Sequence, residues 1–262
     1  LKELINTKMW NAEADFYMTL AEDRNYGFSG VREEIGYIPW YFNIPDDEKT
    51  AAWRFLNDEK YFKAPFGPTT VEINHPEFMR EHPHDCLWNG PSWPFATSQT
   101  LTALGNLICN YNQTLMKKSD YYDLIDTYAK SQYLNGEPFI DENIDPFTGA
   151  WAARERLHSQ TPLPDDAERG KDYNHSTFCD LVIGGLAGIR PSLDSTVTVN
   201  PLFGEDDLEY FCADGILYHG HYITVVWDKT GERYNKGRGL TVLCDGETVG
   251  KMPVPSAVKF SI

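Results

Sequence analysis

Three carboxylates, Asp141, Glu142 and Asp145, stand within five residues and lead into the turn Pro146-Phe147-Thr148-Gly149. Hydrolysis of a glycosidic bond uses two carboxyl groups, one as acid and one as base or nucleophile. Glu142, followed by Asn143 and flanked by aromatic and proline-containing loops, is the candidate base. A charge run of this kind can equally do no more than face water. A second stretch, Trp88-Asn89-Gly90-Pro91-Ser92-Trp93-Pro94, sets two indoles around a Gly-Pro turn at the mouth of an apolar helix. Such a loop offers ring faces and an amide to a ligand, or plugs one end of a barrel. In the third stretch, Val31 to Trp40, Arg32 lies beside Glu33 and Glu34, a set that binds sugar hydroxyls or makes a local ion pair of small consequence. His175, in Tyr173-Asn174-His175-Ser176, caps a further helix and either reaches a ligand or fills a structural role.

Other chemistries lack their residues. HxxxH and HExxH are absent, and His82 with His84, or His219 with His221, is too loose a pattern for a metal site, so no metal and no cofactor are expected. GxSxG, the P-loop and GxGxxG are missing as well. The five cysteines are widely spread and form no CxxC. With 23 Lys+Arg against 39 Asp+Glu, the net charge of −16 repels phosphate backbones, so nucleic acid is not an expected partner. No apolar run is long enough to span a membrane. The aromatic load is high, 7 Trp, 15 Tyr and 14 Phe, which suits a sugar-binding cleft and suits a dense core equally.

The elements that must position these residues change character near residue 190. Leu101, Leu104, Ile108, Tyr111 and Leu115 recur at helical spacing, predicting a helix from Phe95 to Met116. It carries no charge, so it has protein on most sides. Ser119 to Leu134 reads as an outer, amphipathic helix, Pro45 with Asp46, Asp47 and Glu48 as another helix start, and Ser176 to Ile189 as a further apolar helix. After Pro191, the runs Thr196–Val199, Ile216–His219, Tyr222–Trp227 and Leu240–Cys244 read as strands, with Asp245-Gly246 a two-residue hairpin turn. The expectation is a mainly α chain: an α/α barrel or toroid over residues 1–190, followed by a small all-β accessory domain over 191–262. Leu1-Lys2-Glu3-Leu4 looks like the inside of a helix, as expected of a piece of something longer.

The order of these loops resembles the C-terminal half of the (α/α)6-barrel glycoside hydrolases related to families 37 and 63: trehalases, processing α-glucosidases and the mannosylglycerate-hydrolase-like group. The resemblance rests on the Arg32–Trp40 loop, Phe62-Lys63-Ala64-Pro65-Phe66-Gly67-Pro68, the WxGPxWP loop, Glu142-Asn143-Ile144-Asp145-Pro146 with Thr148-Gly149, and Tyr173–Ser176. It implies an inverting glycosidase in which Glu142 is the general base. Trp88, Asn89, Gly90, Trp93, Arg32, Glu34, Trp40, Asn143 and His175 would line the sugar site. Asn89 stands where many members carry Arg, which leaves the substrate class open. The family's general-acid Asp lies in the first half of the barrel and has no counterpart here; within this chain Glu33 or Glu34 is the fallback. A partial barrel would need a companion, either an N-terminal fragment or a second copy, and the substrate class suggests a location outside the cytoplasm. The alternative is a non-catalytic carbohydrate-binding or scaffolding module.

Overall fold

A computed structural model describes residues 1–20, 27–82, 84, 86–172 and 177–262. The chain forms two compact units, residues 1–116 with 124–175, and residues 117–123 with 176–262.

The first unit combines helical segments with long, hydrogen-bonded loops. It opens with α1 (Lys2–Lys8). A 3-10 segment then starts at Asp47, where the acidic Pro45–Glu48 run predicts a helix, and continues to Phe55. The apolar helix α2 (Pro94–Asn110) begins at Pro94, whose missing N–H is harmless in a first turn, directly after the extended residue Trp93. Its buried side includes Thr97, Thr100, Leu101, Leu104 and Leu107, so it is covered by protein as its lack of charge requires. The helix ends at Asn110 rather than Met116. There the Gln113 side chain pairs with both the N–H and the carbonyl of Met116 (2.9 and 3.0 Å), which closes a local loop in place of another turn. α3 (Lys118–Ser131), which belongs to this unit from residue 124 onward, follows, and then the short α4 (Ala152–His158). The core of this unit is aromatic: Phe16, Tyr17, Tyr37, Trp40, Trp53 and Phe62 are buried and meet mainly edge to face. Much of the aromatic surplus is therefore core.

The second unit holds two antiparallel sheets. β1 (Ile189–Arg190), β2 (Thr196–Val199) and β7 (Val258–Ser261) form one, in the order β7-β2-β1. β3 (Tyr210–Tyr218), β4 (His221–Asp228), β5 (Gly239–Cys244) and β6 (Glu247–Met252) form the other, in the order β6-β5-β4-β3. Val197 and Val199 of one sheet and Ile223, Val225, Trp227, Leu240 and Val242 of the other share a single core. Such interdigitated inner faces make a small sandwich. The helix expected from Ser176 to Ile189 is shorter and distorted: one α-turn (Phe178–Leu181) runs into a π-turn (Val182–Leu186). Tyr121 explains the distortion. Its hydroxyl donates to the Leu181 carbonyl (2.9 Å), and a Cβ on Gly185 would lie 1.9 Å from the same oxygen, so the chain passes at a glycine.

Candidate functional site

Four of the five loops singled out in the sequence are joined by hydrogen bonds within the first unit, two pairs directly and the Arg32–Trp40 loop through Thr70. Ser92, in the two-tryptophan loop, and Ile144, in the carboxylate loop, exchange both backbone hydrogen bonds at 2.9 Å. Phe66 donates its N–H to the Pro146 carbonyl (3.1 Å), which docks the Phe62–Pro68 loop on the same segment. Glu34 donates its N–H to the Thr70 carbonyl (2.9 Å), while the Thr70 hydroxyl donates to Pro91 (3.0 Å) and accepts from the Gly90 N–H (3.0 Å). The glycines in these loops mark close approaches. Gly149 has φ +76°, and a Cβ there would sit 2.5 Å from the Phe66 ring. The fifth loop, with His175, lies outside the described residues.

Glu142 is half-buried, two residues before the Ser92–Ile144 bridge. Its backbone N–H donates to Asp141 Oδ1 at 2.8 Å. Asp141 is buried, and its Oδ2 accepts from Arg154 Nε and pairs with Nη2, both at 2.8 Å. Arg154 is itself buried in α4 and also donates to the carbonyls of Ala167 and Arg169, so one guanidinium ties the carboxylate loop to the Pro164–Asp172 segment. That segment presses on Glu142 from the other side. A Cβ on Gly170 would lie 2.9 Å from Asp141 Oδ1 and 3.0 Å from Glu142 Cγ. Asn143 fixes the far end, its carbonyl accepting from the Ala152 N–H (3.1 Å) and its Oδ1 from the Ala153 N–H (3.0 Å), donors that a helix start leaves open.

The expected sugar contacts separate into two groups. Trp88 is 41 % exposed and stacks on Trp93, with centroids 4.3 Å apart and planes 17° apart. Trp93 is buried and its indole N–H donates to the Leu87 carbonyl (2.7 Å), so it backs an exposed ring face rather than offering its own. Asn89 gives its amide N–H groups to the Glu77 and Arg80 carbonyls, while its Oδ1 is buried and has no hydrogen-bond partner among the described residues. Gly90 has φ +149° and lies where a Cβ would meet Met79.

The others serve the fold. Trp40 is fully buried against Tyr17 and Trp53, and Asn143, also fully buried, caps α4. Arg32 pairs with Glu72 (2.8 Å), donates twice to the Ala14 carbonyl and lies over the Phe55 ring, which occupies its donors. Glu34 is 1 % exposed; its Oε1 accepts from the Thr100 hydroxyl (2.8 Å) and its Oε2 has no hydrogen-bond partner among the described residues. Burial pushes the Glu34 carboxyl well above the usual glutamate range, only partly offset by the Thr100 bond. Glu33 reaches the Thr19 hydroxyl (2.5 Å). Arg154 is the residue that sequence reasoning missed. A lone basic residue in Ala-Ala-Arg-Glu-Arg carries no mark of burial, and only Asp141 thirteen residues upstream could have hinted at a partner.

Residues 1–176 match the family described as the mannosylglycerate hydrolase MGH1-like glycoside hydrolase domain. Among solved structures, the chain is similar to one named sialidase, with a TM-score of 0.88 and 43 % identity over 98 % of this chain and 23 % of that one. It also matches the GH63 mannosylglycerate hydrolase from Thermus thermophilus in complex with glucose, with 18 % identity and a TM-score of 0.37 over 55 % of this chain and 35 % of the other. The chain thus spans less than a quarter of the sialidase-named chain and about a third of the Thermus enzyme. No curated protein matches.

Proposed function

The chain belongs to the MGH1-like glycoside hydrolase family, and from that premise we propose that it supplies the base-bearing half of an inverting glycosidase. In this reading the first unit is part of an (α/α)6 barrel, the β-sandwich unit is its accessory domain, and a carbohydrate is the substrate. Glu142 takes a proton from a water that attacks the anomeric carbon, while an acid from outside this chain protonates the leaving oxygen. An inverting pair stands about 6.5–9.5 Å apart to admit that water. The Trp88 ring is the platform for the sugar, and Asn89 and Gly90 shape its edge.

The observation that carries the proposal is the two-way Ser92–Ile144 bridge. It joins the loop that carries an exposed indole face to the loop that carries a half-buried glutamate, and both loops are anchored by buried polar contacts. A general base needs this kind of support, because a misplacement of about 1 Å costs about 100-fold in rate. The sialidase name belongs to a chain more than four times as long, so it adds a carbohydrate context without assigning this segment's own chemistry.

A companion would have a surface to cover. An apolar groove of about 460 Å³ is lined by residues including Ile5, Met9, Met18, Ile35, Ile38 and Phe42, with Phe42 64 % exposed. Exposed apolar surface of this sort marks an interaction site in many proteins. The remaining barrel helices would cover it in the complete protein, and a second copy would cover it in the isolated chain.

The Trp88 face also suits the non-catalytic alternative. The two readings separate on the complete protein. Release of free sugar from a panel of glycosides supports catalysis, whereas retention on a polysaccharide column with no sugar released would establish a binding module.

A further inference from the structure

We infer that His221, Cys244 and Asp245 in the β-sandwich form a binding site for a divalent transition-metal ion of borderline softness, with Zn²⁺ the best match. Two hairpin ends of the four-stranded sheet bring them together. His221 opens β4, and Cys244 closes β5 opposite Ile223. Side chains alternate along a strand, so His221, Ile223 and the partner of Ile223 lie on one face, and diagonal neighbours across a ladder are within reach of each other. Asp245 follows in the Asp245-Gly246 turn, where both residues have positive φ (50° and 86°), as a two-residue hairpin of this hand requires.

The carboxylate is aimed by the backbone. Asp245 donates its N–H to the Tyr222 carbonyl (2.9 Å) and accepts the Tyr222 N–H on Oδ1 (2.8 Å), which leaves Oδ2 at 2.7 Å from His221 Nδ1. One ligand atom from each of the three residues lies within 4.8 Å of the other two. A tetrahedral ion with bonds of about 2.0–2.3 Å needs its ligands roughly 3.3–3.7 Å apart, so small side-chain rotations complete the set.

The donors decide the ion. Thiolate and imidazole select zinc, and Ca²⁺ or Mg²⁺ would call for oxygens alone. The imidazole and the carboxylate are partly open to water (side-chain exposure 40 % and 51 %), which leaves a fourth position for solvent, while Cys244 packs partly against the sandwich core. An ion pair between His221 and Asp245 alone would be a surface pair of little worth; the thiol beside them is what such a pair does not call for. Binding transfers the Cys244 thiol proton to solvent and forms a metal–thiolate bond, and an imidazolium at His221 gives up its Nδ1 proton likewise. The thiol proton must leave for the metal to bind, so affinity should rise with pH.

The test is a Co²⁺ titration of the purified, EDTA-stripped and dialysed chain, followed by absorbance. The expected result is one Co²⁺ per chain, a near-ultraviolet thiolate-to-cobalt charge-transfer band, and its loss on adding Zn²⁺. Cys244→Ser should remove the band, and Cys244→Ser and His221→Ala should each weaken binding by about 10-fold or more, the range that a metal's supporting residues already command. Because Cys244 touches the core, the urea midpoint of each variant is checked. Zn²⁺ should also raise the melting temperature of the native chain and not that of His221→Ala, as expected of a ligand that binds only the folded state. A titration without the band, or a band and affinity in both variants within about twofold of the native protein, would overturn the assignment.

Discussion

Replacing Arg154 with Met keeps most of the side-chain volume and removes the charge that compensates the buried Asp141 carboxylate. Asp141 and Arg154 are 1 % and 6 % exposed at their side chains and are paired at 2.8 Å. Without the guanidinium, Asp141 keeps the bond from the Glu142 N–H, and the Ala167 and Arg169 carbonyls lose their donor. Removing one partner of a buried, hydrogen-bonded pair costs about 3–5 kcal/mol, because the other charge stays in low dielectric. With a urea m-value of about 3 kcal/mol/M, the midpoint should fall by about 1–1.7 M. Tryptophan emission follows the right transition, since six of the seven tryptophans lie in the first unit. The loss should persist in high salt, which screens exposed charges far more than buried ones. Adding Asp141→Asn removes the stranded charge and should recover about half of the loss. A midpoint for Arg154→Met within about 0.3 M of the native value, the equivalent of ~1 kcal/mol, would refute this reasoning, as would a double variant no more stable than the single one.

Three further outcomes follow from the same contacts. Burial pushes the Glu34 carboxyl well above the usual glutamate range, so in the window from about pH 4.3 upward the folded state binds more protons than the unfolded one, and stability falls as pH rises. Glu34→Gln, which keeps an acceptor for Thr100, should flatten melting temperature against pH in that window and raise it at pH 7; parallel curves would contradict this. Trp88→Ala should raise KM about 10-fold, ~1.4 kcal/mol of binding, while shifting stability by about 1 kcal/mol for the lost Trp93 stack; an unchanged KM would remove the platform role. Gly149→Ala combines a positive φ with a clash against Phe66 and should cost about 2–4 kcal/mol in urea unfolding, and an unchanged midpoint would show that the loop yields.

The regular elements were legible because their periods are strong. The charge-free stripe marks α2, and Asp245-Gly246 marks the β5–β6 hairpin, both observed. What failed were local competitions that one sequence does not display: Gln113 capturing Met116, and Tyr121 demanding a glycine at 185. In the site, spacing picked out the loops that the structure joins through Ser92 and Ile144. It did not separate residues that face outward, such as Trp88, from those that hold the loops, such as Trp40, Arg32 and Asn143. Burial depends on partners far along the chain, 40 residues away for Arg32 and Glu72. The metal-binding trio escaped for the same reason, since antiparallel pairing brings Asp245 to a histidine 24 residues earlier.

Turnover of Glu142→Gln in the complete protein tests whether Glu142 is the base of a glycosidase. Glutamine keeps the size and hydrogen-bonding reach of the side chain but cannot take the water's proton. The variant's kcat should fall by about 100-fold or more, the contribution of a positioned base, with sugar binding, followed by tryptophan quenching, close to native. Native-like turnover in Glu142→Gln would contradict that assignment.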